Sequence, residues 1–302
     1  MLGWPIRSRF ERGFLVGIVG ERNFGEILGR VKRQRGIDFS LYRPGTIERR
    51  LQSRLRATGC STYSDYLRYL DGEPAEYDRL VHVVTINVTE FFRDPEVFHL
   101  LSMKVIPEMI RFKEEHNART IRVWSAGTSC GEEAYSVTLL FLEQLQEKIR
   151  DFHLKVYGTD VDSDCVLAAK KGVYTVESLK QLSKEIRAKY FQRTEEGYAA
   201  TEEVKRLTAF KVHNLVSDPP LTHMDLILCR NVLIYFMRPL QEAVQGVFFK
   251  ALRDGGFLVL GRVESLCNWR LENFNVIDIR NRIYRKKIGG IYEMVLGSLN
   301  AG

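Results

Sequence analysis

The sequence predicts an α/β protein with a mainly parallel sheet covered on both faces, preceded by a small all-α domain. Three observations predict it. From Thr120 onward, short apolar runs that end in polar residues alternate with helical runs, the pattern of repeated β-α-β units. Ile121, Val123 and Trp124 read as a buried strand that runs into the small residues Ser125, Ala126, Gly127, Ser129 and Gly131. Glu132 and Glu133 then open an apolar helix, Val137 to Leu145. Before about residue 86, by contrast, no Val/Ile alternation occurs and the apolar residues recur at helical spacing.

Taken in order, residues 1–23 read as an N-terminal extension. Phe14 to Val19 is a short apolar patch followed at once by Glu21-Arg22, without the length or cleavage site of a signal peptide. Residues 24–86 read as four helices. Ile27, Leu28 and Val31 share a face of the first. Thr46 to Arg56 carries Arg49, Arg50, Arg54 and Arg56. Ser61 begins a third with Tyr63, Tyr66 and Leu67, and Glu76 to Val84 forms a fourth. The arginine cluster is either a solvated face or a contact for carboxylate or phosphate, which the planar guanidinium pairs bidentately.

Residues 87–112 read as a linker that contributes to the active site. Asn87, Thr89 and Arg93 alternate with Phe91 and Phe92, and Asp94-Pro95 starts a helix with proline in its first turn. Packed aromatics would fix Arg93 in place. Residues 113–287 carry the α/β domain. After the 120–145 unit come a strand, Leu154 to Thr159, that ends at Asp160, and a helix from Cys165 to Lys171. Residues 190–210 read as an inserted small β-subdomain, a hairpin around Glu195-Glu-Gly197. Phe210 to His213 is a strand ending at Asn214, and Met224 to Leu228 is one ending at Cys229-Arg230-Asn231. Pro239 to Leu252 is a helix closed by Asp254-Gly-Gly. Gly256 to Leu260 and Val276 to Tyr284 are the last strands, able to pair as a hairpin, and residues 288–302 form a tail.

The totals exclude several classes. A chain of 302 residues at 45% hydrophobic and 27% charged is an ordinary folded protein. Its net charge of +7 suggests an acidic partner, nucleic acid or protein. Five scattered cysteines and six histidines without ligand spacing argue against disulfides and a metal site and fit a reducing cytoplasm. No apolar run is long enough to insert in a membrane.

Ligands of open α/β sheets bind at the carboxyl ends of the strands. The 125–131 turn, Asp160, Asn214 and Cys229-Arg230-Asn231 all fall there. Glycine lets backbone approach a ligand closely. Carboxylates in the first helical turn argue against a polyphosphate, because a helix N-terminus that binds anions would be free of them. They suit a ligand with hydroxyls and a cationic centre. Asp160 stands where an acid meets ribose hydroxyls, and Asn214 offers both a donor and an acceptor to an adenine edge. No histidine is placed for a hydride relay, and His213 reads as a packed strand residue. The reading is S-adenosylmethionine, with Arg93 to hold an acceptor carboxylate and Tyr235 to orient it.

The segments Asn87-Val-Thr-Glu-Phe-Phe-Arg93, Val123-Trp-Ser-Ala-Gly-Thr-Ser-Cys-Gly-Glu-Glu-Ala-Tyr-Ser136, Gly158-Thr-Asp-Val-Asp162 and Cys229-Arg-Asn-Val-Leu-Ile-Tyr-Phe236 resemble the CheR family, the chemotaxis receptor protein-glutamate O-methyltransferases. The resemblance covers about residues 24–287. It implies a Rossmann-like S-adenosylmethionine-dependent methyltransferase domain behind a helical substrate-recognition domain, in a cytoplasmic monomer that yields S-adenosylhomocysteine. It implies a cofactor site lined by Asn87, Thr89, Arg93, Gly127, Glu133, Asp160, Asn214, Leu215, Cys229, Arg230 and Asn231, with Arg93 and Tyr235 nearest the transferred methyl. It implies that Arg50 and Arg56 meet the helical methylation region of chemoreceptors. The family loop usually reads Gly-Cys-Ser-Thr-Gly-Glu-Glu-Pro. Here it is Gly127-Thr-Ser-Cys-Gly-Glu-Glu-Ala134, and the hairpin loop is short.

Two other readings compete. A nucleic-acid methyltransferase would suit the net charge and fold, but Asp218-Pro-Pro-Leu221 precedes its strand and lacks a stacking aromatic. A module that binds the cofactor without catalysis would not require both Arg93 and Tyr235.

Overall fold

The computed structural model describes residues 22–85, 87–267 and 272–289, so most of the expected extension and tail lies outside the described residues. The chain forms two compact units. One holds the described residues through Asn87 together with Tyr235–Met237. The other holds Val88–Ile234 and the described residues from Arg238 on. No helix among the described residues is long and apolar enough to cross a membrane.

The first unit is helical: α1 over residues 22–35, α2 (Pro44–Thr58), α3 (Tyr63–Gly72) and α4 (Glu76–Thr85). Proline opens α2, and Gly59 in the left-handed region closes it. Thr62 and Asp65 form a capping box at the start of α3. Ile27 and Val31 of α1 and Ile47, Leu51 and Leu55 of α2 are buried. The arginine cluster divides. Arg54 turns inward and grips the fully buried Glu76 with two bonds, 2.8 and 2.7 Å, and the Tyr66 hydroxyl donates to the same carboxylate at 2.7 Å. Arg49 and Arg56 are exposed, and Arg50 is half-buried. The Tyr235–Met237 segment belongs here through backbone bonds from Arg43 N to Tyr235 O (2.8 Å) and from Met237 N to Leu41 O (2.9 Å). The Tyr42 and Phe236 rings also meet edge to face.

The second unit contains a seven-stranded sheet. Its strands are β1 (Thr120–Ala126), β2 (His153–Asp160), β6 (Thr208–Val212), β7 (Met224–Cys229), β8 (Leu252–Leu260), β9 (Phe274–Asp278) and β10 (Ile283–Lys286), in the order β6-β2-β1-β7-β8-β10-β9. The first five positions run parallel, and β10 and β9 are antiparallel. Helices α7 (Glu132–Leu145), α8 (Ser163–Lys171), α9 (Lys184–Tyr190), α10 (Glu202–Leu207) and α11 (Arg238–Ala251) complete the alternation. The mainly parallel α/β expectation is met.

Three local readings change. The segment read as a linker is, from Val88 on, part of this unit. Its helices α5 (Pro95–Leu100) and α6 (Ile106–Glu115) flank a wide turn, Leu101–Val105, where Ile106 N–H reaches back five residues to Leu101 O. Phe91, Val97, Phe98, Leu101 and Val105 share one core with Val123, Val137 and Val156. Residues 276–284 are not a single strand, because Asp278 accepts from Asn281 N at 2.8 Å and turns the chain between β9 and β10. Asp254-Gly-Gly does not stop a helix but lies inside β8, where the pairing with β7 slips register. The expected insertion is present and larger than a hairpin. β4 (Phe191–Thr194) and β5 (Gly197–Ala200) pair across a short turn, and β3 (Val173–Tyr174) adds a third strand beside β5.

Candidate active site at the sheet rim

β1 lies between β2 and β7. From β1 the chain moves outward through β2 to β6, while β7 leads the other way to β8. The connections therefore diverge at the carboxyl ends of β1 and β7, the place where an open parallel sheet leaves a crevice for a ligand.

The turn after β1 is built from backbone contacts. Gly127 and Thr128 donate to Thr159 O at 2.8 and 2.9 Å, and Ser129 N donates to Asp160 Oδ2 at 2.8 Å. Gly127 has φ +76°, and a Cβ there would stand 2.4 Å from Val232 Cγ2. Only glycine suits that position. Trp124 is buried beneath the rim, its indole N–H on Thr159 Oγ1 at 2.8 Å and its ring edge-on to His213, the packed residue expected.

The two helix-opening glutamates differ. Glu133 accepts from the Ser125 hydroxyl at 2.8 Å and from Arg230 Nη1 at 3.3 Å. Burial pushes its carboxyl up, and the Arg230 guanidinium pulls it back. Glu132 is buried, and its Oε2 has no hydrogen-bond partner among the described residues. Burial pushes it up to about 7. The first turn of α7 thus carries one compensated carboxylate and one that is half neutral near pH 7, not two free anions.

Arg230 holds the rim together. Its Nη2 donates to Asp94 Oδ2 at 2.5 Å and to Arg93 O at 2.8 Å, and its guanidinium lies over the Phe98 ring. Arg93 is fixed by Nη1 on Val88 O at 2.9 Å, and Phe92 N–H ties the same segment to Ser136 of α7 at 3.0 Å. Thr89 is half-buried in this segment. Asp160 is buried at the end of β2, where Oδ1 accepts from Asp162 N at 3.1 Å. Burial raises its carboxyl, opposed by those backbone donors. Cys229 ends β7 fully buried, which pushes its thiol up.

Asn231 follows with φ +60°, and its Oδ1 is buried with no hydrogen-bond partner among the described residues. Asn214 folds its own turn, with Oδ1 accepting from Val216 N at 2.9 Å and N donating to Asp218 Oδ2 at 3.0 Å, and Leu215 beside it is buried. The second unit therefore brings Arg93, Gly127, Glu133, Asp160, Cys229, Arg230 and Asn231 to one rim. Asn87 and Tyr235 fall in the first unit, where Asn87 donates to Thr85 Oγ1 at 3.1 Å.

Two residues of this rim have no site role in the sequence reading. Asp94, read there only as the start of a helix, shares Arg230 and takes φ +58°. Glu264 is buried, with Oε2 accepting from Gly261 N (2.6 Å) and Asn231 N (3.1 Å) and Oε1 from Ile234 N (3.2 Å). Burial raises its carboxyl against these donors. It fixes the turns after β7 and β8, and a polar residue just past a strand was the available clue.

The donor set fits an adenosyl sulfonium. Each Asp160 oxygen accepts one backbone N–H, whereas a carboxylate has about four acceptor sites, so it retains capacity for ribose hydroxyls. Asn231 Oδ1 is a buried acceptor awaiting a donor. Asp160 and Glu133 present acceptor oxygens at the rim, which suit a ligand carrying hydroxyls and N–H groups more than a phosphate.

Comparison with known proteins agrees. Residues 87–283 match the CheR methyltransferase, SAM binding domain, and residues 22–85 match the CheR methyltransferase, all-alpha domain. A chemotaxis protein methyltransferase of Listeria innocua is 30% identical over 85% of this chain and 94% of its own length. Chemotaxis protein methyltransferase 2 of Pseudomonas aeruginosa is 31% identical over 80% of this chain and 86% of its own. An uncharacterized 104.1 kDa protein of Rhodobacter capsulatus is 33% identical over 92% of this chain, which spans only 29% of that longer protein. The chain belongs to the CheR methyltransferase family, and its cofactor is S-adenosylmethionine.

Proposed function

We propose that this protein methylates the side-chain carboxylates of specific glutamates in the cytoplasmic helical region of chemoreceptors, giving glutamyl methyl esters and S-adenosylhomocysteine. The observation that carries the reading is the rim itself. It combines a buried acid with spare acceptor capacity, Asp160, and a carboxylate held by an arginine, Glu133 with Arg230, in a chain of this family.

When bound, the cofactor supplies an electrophilic methyl on a positively charged sulfur. The chain's own residues do the rest by placement. Asp160 would hold the ribose hydroxyls, and Asn231 Oδ1, a buried acceptor, would take an N–H of the cofactor. A glutamate with an ordinary pKa of about 4.3 is ionised at neutral pH and serves as its own nucleophile, so no general base is required. Arg93 uses one donor on Val88 O and keeps others for an acceptor carboxylate. Tyr235, expected from the sequence to orient that carboxylate, falls in the first unit. Alignment of this kind is worth up to roughly 7–11 kcal/mol. Arg50 and Arg56 on α2 would meet acidic residues on the receptor helices.

Base methylation of nucleic acid is the weaker reading. Asp218, which would begin its Asp-Pro-Pro motif, is committed to the Asn214 turn ahead of β7. Incubation with radiolabelled S-adenosylmethionine and either a receptor cytoplasmic fragment or nucleic acid separates the two. Base-labile label on the receptor, released as methanol, is expected. Base-stable label on nucleic acid would replace this proposal, and cofactor binding with no transfer to either would end it.

A further inference from the structure

The turn after β1 carries a cysteine, Cys130, and the first turn of α8 carries another, Cys165. Their Sγ atoms lie 3.0 Å apart. Both thiols are free. Cys130 is half-buried and Cys165 is fully buried, so a small oxidant in solution meets Cys130 first.

We propose that Cys130 and Cys165 are a redox modification site, and that their disulfide weakens cofactor binding by displacing the turn between β1 and α7. The chemistry balances with a hydroperoxide as oxidant. The Cys130 sulfur attacks a peroxide oxygen, the O–O bond breaks, and the hydroxide lost takes a proton to become water. The resulting sulfenic acid is attacked by the Cys165 sulfur. An S–S bond forms, the S–O bond breaks, and the second oxygen leaves as water with the remaining thiol proton. Two thiols lose two electrons in all, and the peroxide gains them.

The surroundings favour this pair. The close contact between the two sulfurs holds the Cys130 thiol below the ordinary thiol range and pushes Cys165 up, so Cys130 is the attacking sulfur and Cys165 the resolving one. The two elements already pack closely, since a Cβ on Gly131 would lie 2.8 Å from Ala169 Cβ, one turn along α8 from Cys165.

A disulfide is about 2.05 Å long, so closing the pair requires about 1 Å of movement. Cys165 is anchored in α8, with its N–H on the helix-capping Asp162 at 3.3 Å, and Cys130 lies on the short turn, its carbonyl on the Tyr174 hydroxyl at 2.8 Å, so part of that movement falls on the turn. Ser129, the neighbour of Cys130, donates the bond that orients Asp160. A pull on Cys130 therefore strains the Asp160 contact directly. The effect on affinity rests on assigning this rim to the cofactor; formation of the bond does not.

The full-length protein is treated with hydrogen peroxide and then analysed by intact mass, peptide mapping and calorimetric titration with S-adenosylhomocysteine. Expected are loss of the mass of two hydrogens, a Cys130–Cys165 cross-linked peptide, and affinity reduced about tenfold, because such sites tolerate only about 0.5 Å of displacement. Thiol reductant should restore both mass and affinity in the same wild-type sample, a measurement that needs no variant. Cys165→Ala should bind normally when reduced and lose the peroxide response. Stepwise oxygen addition to Cys130 without a cross-link, or a cross-link between other cysteines, overturns the modification site. The expected cross-link with unchanged affinity overturns its link to the cofactor. Absence of S-adenosylhomocysteine binding even in reduced protein would instead be a failure of the cofactor-site assignment.

Discussion

Arg230 and Glu133 form an ion pair at the carboxyl end of β7, Nη1 to Oε2 at 3.3 Å, and Asp94 shares the same guanidinium at 2.5 Å. The arginine side chain is only 2% exposed and Glu133 12%, so water cannot replace either partner cheaply. Two carboxylates then depend on one cation. The pair is a device for placing Glu133 and the Arg93 backbone at the rim more than a source of net stability.

Arg230→Met should cost about 3–5 kcal/mol of folding stability, since it strands two carboxylates beside a buried apolar side chain. Urea midpoints check this. Arg230→Lys should recover little, because one ammonium cannot span Glu133, Asp94 and Arg93 O as a planar fork does. Full recovery by lysine would show that charge alone matters.

Glu132 predicts a pH dependence. Burial raises its folded-state value to about 7 from an ordinary 4.5. Below about pH 4.5 both folded and unfolded forms are protonated, and the group costs nothing. Between 4.5 and 7 the unfolded chain releases its proton while the folded chain resists, so stability falls as pH rises, by up to about 3 kcal/mol. Above 7 the penalty is constant. Glu132→Gln should flatten the thermal-melting profile across that window and raise the melting temperature at pH 8. A profile unchanged by the substitution would assign the slope to other groups.

Gly127→Ala should destabilise by about 1–2 kcal/mol for the left-handed backbone and about 1–3 kcal/mol for the collision with Val232. Combining it with Val232→Ala should return the steric part and leave the backbone part. A double-mutant cycle on denaturation midpoints, repeated for S-adenosylhomocysteine affinity, separates the two.

On α2 the arginines should sort by direction. Arg54→Ala leaves Glu76 buried without its bidentate partner and should cost about 3–5 kcal/mol. Arg50→Ala with Arg56→Ala should leave melting and cofactor affinity nearly unchanged and weaken receptor methylation, the more so at low salt, where charge pairing reaches beyond about 10 Å. Equal loss of receptor methylation and cofactor affinity would remove the docking role.

The strand-turn-helix at 120–145 was legible because its signals are local: an apolar run, small residues at a turn, and a helix behind them. The strand ends at Asp160, Asn214 and Cys229 were legible for the same reason. What escaped depends on contacts across the chain. Arg54 looks like its neighbours until Glu76, on another helix, claims it. Residues 87–112 read as a linker whose paired aromatics pack, but only the folded chain shows that Phe91 and Phe98 join the core of the sheet. Glu264 orders a turn more than thirty residues upstream, and only the folded chain shows it. The two glutamates of α7 look alike in sequence, and Arg230, far along the chain, makes them different.

The wide turn at Leu101–Val105 sets chain length as firmly as any side chain. It accommodates one residue that a regular helix would not, and each residue turns a helix by about 100°. Deleting a single residue there would rotate α6 relative to α5 by about that angle, swinging the Lys113 ammonium away from Asp225, which it meets at 2.6 Å in the interior.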